Sequence, residues 1–170
     1  MGVKDKVGST VKIKQSTTFD IKELYKNLKK WVKERGYKIS EPNYAEKPSA
    51  DGAKNTFFFW SCAKKADDYT KQVIEITFIA DTKDVAVEKD EDVQTMQEGN
   101  VEISLNAFIT KDIEDEWAIR KKSAVRRFIR ELYDKFANKG KYDVFEGKLE
   151  KDREAIAHDL KTYLRMRRFD

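Results

Sequence analysis

Four arginines, Arg120, Arg126, Arg127 and Arg130, fall on one arc of a segment that repeats at helical spacing from Trp117 to Phe136. Guanidinium groups in a row on a helix face meet a row of phosphates or anionic headgroups. Trp117 and Tyr133 add the amphipathic rings that interfacial and nucleic-acid-binding helices carry. Glu131 and Asp134 interrupt the face. Arg126 and Arg130 would equally pair with the chain's own acids, which would leave nothing for a partner.

Other chemistry is thinly represented. A nucleophile needs a base beside it, and the single histidine, His158, falls on the polar side of the last helical stripe, far along the chain from the single cysteine, Cys62. Cys62 follows Trp60 in an apolar run, the setting of a buried inert thiol. One cysteine and one histidine exclude an intrachain disulfide and a multi-cysteine metal site and remove most zinc chemistry. Glu75 and Glu102 would share a polar face if their strands were neighbours, which makes a carboxylate-pair hydrolase a distant third reading. The run Asp90, Glu91, Asp92 lacks the spaced oxygens and central glycine of a calcium loop and is expected at a hairpin tip. No glycine-rich phosphate loop or dinucleotide fingerprint is present, so the chain is expected to need no cofactor and to be something other than an enzyme.

These residues must be positioned by one domain. At 170 residues a single core can hide roughly two thirds of the surface exposed by the unfolded chain. Charged residues make up 39%, well above the usual quarter, yet ten Phe, seven Tyr and three Trp supply core material that disordered chains lack. The net charge of +4 hides a segregated layout. Between Asp81 and Glu98 seven acids oppose two lysines, and between Trp117 and Phe136 seven bases oppose two acids. No run approaches the apolar length of a membrane span, and the Lys-bearing N-terminus lacks a signal peptide's apolar core, so a reducing, cytoplasmic location is expected.

Residues 1–8 are polar and expected to be loose, and Val11 and Ile13 alternate with Lys12 and Lys14 as a first strand. Asp20 can cap the next helix with Glu23 three positions on, and Phe19 can staple onto Leu24. Ile21, Leu24, Tyr25, Leu28, Trp31 and Val32 form its stripe, Gly36 ends it, and Lys22, Lys26, Lys29, Lys30 and Lys33 are expected to point mostly to water. Tyr37–Ile39 begins a strand that Pro42 interrupts, and Pro48–Asn55 reads as a turn. Phe57–Ala63 is apolar on both faces, as an inner strand would be, and Asp67 with Asp68 marks a turn. Ile74–Ala80 alternates, Val85 and Val87 continue or pair with it, and Glu98-Gly99-Asn100 reads as a turn into the strand Val101–Thr110. A long helix is expected over 112–138, a break at Gly140, and a last helix from about Leu149 to Leu164.

The expected fold is therefore α+β: an antiparallel meander of about five strands packed against an N-terminal helix, a long C-terminal helix and a final helix. That order resembles the helix-grip arrangement of START-like domains, in which a curved sheet wraps a long helix around an apolar cavity. The resemblance rests on element order, and this chain departs from it by the added final helix. It implies a lipid-type, small apolar ligand with Phe58, Trp60, Phe78, Ile103 and Leu105 as the cavity wall, although an ordinary filled core has the same aromatic strands. The functional expectation is a non-catalytic binding module that encloses such a ligand between sheet and long helix, with the arginine face toward an anionic membrane or partner. A nucleic-acid-binding protein using the same arginines is the alternative. Oligomeric state is not legible in the sequence.

Overall fold

The computed structural model describes residues 3–48, 50–67, 69–111 and 139–168. They form a five-stranded antiparallel sheet and two helices, in the order β1 (Val3–Phe19), α1 (Ile21–Glu34), β2 (Lys38–Pro48), β3 (Ala53–Lys65), β4 (Thr70–Lys89), β5 (Asp92–Lys111) and α2 (Lys139–Arg168). The α+β class and the five-strand antiparallel sheet expected from alternation are both present. The expected helix over 112–138, with Arg120, Arg126, Arg127 and Arg130, lies outside the described residues.

Strand order is β1-β5-β4-β3-β2. Four consecutive strands pair as hairpins, while β1 adds to the free side of β5, so the edges are β1 and β2. Between these edges the chain travels through α1, which the topology therefore lays across one face of the sheet. Asp20 starts the helix by accepting from the backbone N–H groups of Lys22 and Glu23. Ile21, Leu24, Leu28 and Val32 then turn inward at helical spacing. The same face of the sheet carries Phe58, Trp60 and Cys62 of β3, Ile74, Ile76 and Phe78 of β4, Ile103, Leu105 and Ala107 of β5 and Val7 and Ile13 of β1, all buried. Leu149, Ile156, Leu160 and Leu164 of α2 close the core from above.

β4 and β5 meet in a two-residue turn in which Asp90 and Glu91 have φ of 54° and 72°, the primed geometry that matches strand twist. The acidic run is thus a hairpin tip, as its composition implied. Gly99 is a different matter. It lies inside β5, opposite Thr82 on one side and Thr17 on the other, rather than in a turn. A Cβ there would fall on the Asp81 carbonyl oxygen, so glycine marks a close backbone approach within the strand.

Three further expectations are corrected. Residues from Val3 onward belong to β1, because they pair with 107–111 of β5. β1 bulges between Val7 and Val11, where Gly8 has φ of 65° and the buried Arg153 of α2 donates one guanidinium nitrogen to the Val7 and Ser9 carbonyls at 2.9 Å each. Gly140 does not break the chain but sits in the first turn of α2, which begins ten residues before Leu149. β2 is likewise longer than Tyr37–Ile39. It absorbs Pro42 in a bulge between Ser40 and Asn43, the place an edge strand tolerates a residue without an N–H.

Candidate functional site

The bulge in β2 has a chemical consequence. Two residues, Glu41 and Pro42, oppose one, Trp60, and this turns Glu41 toward the core side. One carboxylate oxygen of Glu41 accepts from the indole N–H of the fully buried Trp60 and from the Tyr25 hydroxyl, both at 2.6 Å. Three residues on, Tyr44 donates its hydroxyl to Glu46 at 2.7 Å, and Lys54 of β3 reaches the other Glu46 oxygen at 3.2 Å. Partial burial and the Glu41 carboxylate push the Tyr25 phenol up to about 12, and burial with Glu46 does the same to Tyr44. Glu46 is held below the usual carboxylate range, first by the Tyr44 hydroxyl and then by Lys54 and Lys22 against the opposing effect of burial.

These groups flank an open cleft of about 560 Å³ between α1 and the β2–β3 edge of the sheet, within the size range of small-ligand sites. Ile21, Lys22, Tyr25, Lys26 and Lys29 line it from α1, Glu41, Tyr44 and Glu46 from β2, Lys54 from β3 and Gln97 from β5. Gln97 fixes where α1 begins, because its side-chain oxygen accepts from the Ile21 N–H and its amide donates to Asp84. The aromatic wall is continuous with the core. Tyr25 meets Trp60 and Phe58 edge-on with centroids at 5.1 and 5.3 Å, and Tyr44, 48% exposed, stacks over Phe58 at 6.3 Å. On the same sheet face small residues follow: Thr56 opposite Glu46 and Ala80, Thr82 opposite Lys54 and Gly99. The hydroxyls of Thr56 and Thr82 are buried without a hydrogen-bond partner among the described residues.

The five expected cavity-wall residues, Phe58, Trp60, Phe78, Ile103 and Leu105, all come together in the core cluster, each no more than 1% exposed. Phe58 and Phe78 stack at 4.6 Å and Phe58 meets Trp60 at 5.1 Å. None of the five lines the cleft; it reaches them only through Tyr25 and Tyr44. A second, shallower hollow of about 360 Å³ lies on the opposite face among Lys14, Ser16, Ile79, Asp81, Asn100 and Glu102.

The residues considered for catalysis are dispersed. Glu75 stands opposite Asn106 and Glu102 opposite Ile79, four residues along the ladder, so roughly 13 Å separates them. Each has a lysine of β1 beside it, Lys4 for Glu75 and Lys14 for Glu102. That spacing exceeds what two carboxyl groups acting on one bond use. Cys62 is buried and burial pushes its thiol up to about 12, which makes it a poor nucleophile. His158 is exposed on α2. Among the described residues no group of three metal-ligating side chains converges, and no helix is long and apolar enough to cross a membrane.

Sequence reasoning passed over the cleft itself. Its residues are drawn from α1, β2, β3 and β5, and only the edge position of β2 brings Glu41, Tyr44 and Glu46 beside the lysine flank of α1. The available signal was Pro42 within an alternating run, which foretells a bulge on an edge strand. Comparison with protein-family models, with curated proteins and with solved structures returns no match for this chain.

Proposed function

We propose that this protein is a non-catalytic binding module whose site is the cleft between α1 and the β2–β3 edge, and that it takes a small amphipathic molecule there. A START-like, helix-grip relationship fits the reading, because α1 and α2 cover one face of the sheet and the cleft opens along the flank of that packing. The observation that carries it is the juxtaposition of an aromatic wall, Tyr25 and Tyr44 over Phe58 and Trp60, with charged groups at the rim of a 560 Å³ cleft. Apolar lining with a few convergent polar groups is what a small-ligand site requires. The ligand's apolar body lies against the two tyrosine rings and its polar end stays among the charged side chains. The expected enclosure between sheet and long helix involves residues 112–138, outside the described residues, and the proposed site is the cleft that the described residues form. A cytoplasmic setting is part of the proposal, one in which the lone Cys62 stays a thiol.

Trp60 provides the assay. A neutral apolar dye such as Nile red should gain emission on binding and accept energy from tryptophan, with one dye per chain. Tyr44→Ala removes half of the aromatic wall from an exposed position and should weaken dye binding by about tenfold, while the melting temperature changes little. Unchanged dye affinity in that variant would remove the cleft from consideration. A second reading, contact with nucleic acid, draws on the same half-exposed tyrosine beside lysines. It predicts retention on immobilised single-stranded DNA that falls steeply with salt, and the absence of such retention would dismiss it.

A further inference from the structure

We infer that the cleft selects a single-chain amphiphile with an anionic head, and that Lys26 and Lys29 hold the head. The inference rests on the cleft reading above and names its ligand. Its basis is a charge balance that fails to close. Four lysines and two glutamates line the cleft, and both glutamates are already engaged by internal donors. Glu41 is occupied by Tyr25 and Trp60, and Glu46 by Tyr44 and Lys54. Lys22 acts on Glu46 through space, and Glu23, three residues before Lys26, accepts from the Tyr163 hydroxyl, so that among the described residues no ion pair engages Lys26 or Lys29.

The placement of these lysines works against the helix that carries them. Lys22 and Lys26 are four residues apart, Lys26 and Lys29 three, and Lys29 and Lys33 four, so α1 presents a ladder of like charges at the separations where side chains meet. Each such pair costs stability, and Lys22 in the first turn also opposes the helix dipole. Only Lys30 in this helix has its compensating i+4 acid, Glu34, and Lys30 does not line the cleft. A local arrangement that weakens its own element, beside an aromatic wall with its acids withdrawn, is what an anion-holding site requires. The head sits against Lys26 and Lys29, and the chain runs over Tyr25 and Tyr44.

The experiment uses three probes of one chain length, decanoate, decanol and decylammonium, each below its critical micelle concentration, titrated into the full chain by calorimetry and by tryptophan emission. Wild type should bind one decanoate per chain about tenfold more tightly than decanol, with decylammonium weakest, as two partly exposed charge contacts allow. Lys26→Gln with Lys29→Gln should bring decanoate to the affinity of decanol and leave decanol unchanged. The same double variant should melt at or above the wild-type temperature, a direction that loss of a structural role would not give. Lys161→Gln on the exposed side of α2 should leave all three affinities as they were.

If decanol and decylammonium bind as tightly as decanoate, the anionic-head inference is overturned and the cleft reading stands. If none of the three binds, the cleft reading falls as well. Retained decanoate preference in the double variant, or several decanoates per chain, would overturn the assignment to Lys26 and Lys29.

Discussion

Replacing Glu41 by alanine removes the acceptor that joins α1 to the edge of the sheet. In the folded protein one oxygen of Glu41 receives the Trp60 indole N–H and the Tyr25 hydroxyl at 2.6 Å each. Tyr25 can turn its hydroxyl to water, because its ring borders the open cleft. Trp60 cannot, since it is fully buried and its N–H would be left without a partner. An orphaned buried donor costs about 1–3 kcal/mol, so the loss centres on about 2 kcal/mol. For a domain of this size each kcal/mol moves the midpoint by about 2–4 °C, which predicts a fall of about 4–8 °C in thermal unfolding followed by circular dichroism. Glu41→Gln retains an oxygen acceptor and should cost roughly half as much. Tyrosine titration by phenolate absorbance gives an independent reading: Tyr25 should titrate near 12 in wild type and move down toward the ordinary tyrosine value in either variant. A Glu41→Ala protein that melts within about 1 °C of wild type would refute the bond network and with it the positioning of the cleft.

Three other outcomes follow from the fold. Gly99→Ala should cost about 3 kcal/mol or abolish folding, because the new methyl group meets the Asp81 carbonyl; chemical denaturation that shows less than about 0.5 kcal/mol would contradict the close approach. Arg153→Met should cost about 2 kcal/mol and raise amide exchange selectively in residues 3–13, since the guanidinium is what holds the Val7 and Ser9 carbonyls of the β1 bulge. Alkaline stability should decline between pH of about 10 and about 12. Tyr25 and Tyr44 are raised in the folded state, so the unfolded chain releases their protons first, and their contribution is whole below the unfolded value and lost through the folded one. Stability that stays flat across that window would remove the tyrosine–glutamate pairs from the account.

How much of this was legible depends on the range over which each signal acts. α1 could be read almost to its boundaries because Asp20, the Ile21–Val32 stripe and Gly36 are all local. The strands could be read from alternation, and the Asp90–Glu91 turn from its composition. Glycine misled twice, since the same residue serves a turn, a close approach inside a strand at Gly99 and a plain helical position at Gly140. Phe58, Trp60 and Phe78 lie on the buried face while Phe57 and Phe59 alternate to the other, and periodicity is identical for a wall around a cavity and for rings that stack on each other. Phe58 on Phe78 is the latter contact. The cleft was hidden for a different reason. Lys22, Lys26 and Lys29 are written as a solvated face, and only the order β1-β5-β4-β3-β2, which sets β2 at an edge across from α1, brings Tyr44 and Glu46 to them.

The most direct measurement is a residue-resolved map of where the amphiphile sits. Amide chemical-shift changes on titrating decanoate into labelled protein should be largest at Lys22, Tyr25, Lys26, Lys29, Tyr44 and Lys54 and small on the opposite face at Ser16, Ile79 and Asn100. Shifts concentrated on that opposite face, or spread evenly over the lysines of the whole surface, would contradict a binding site between α1 and the edge of the sheet.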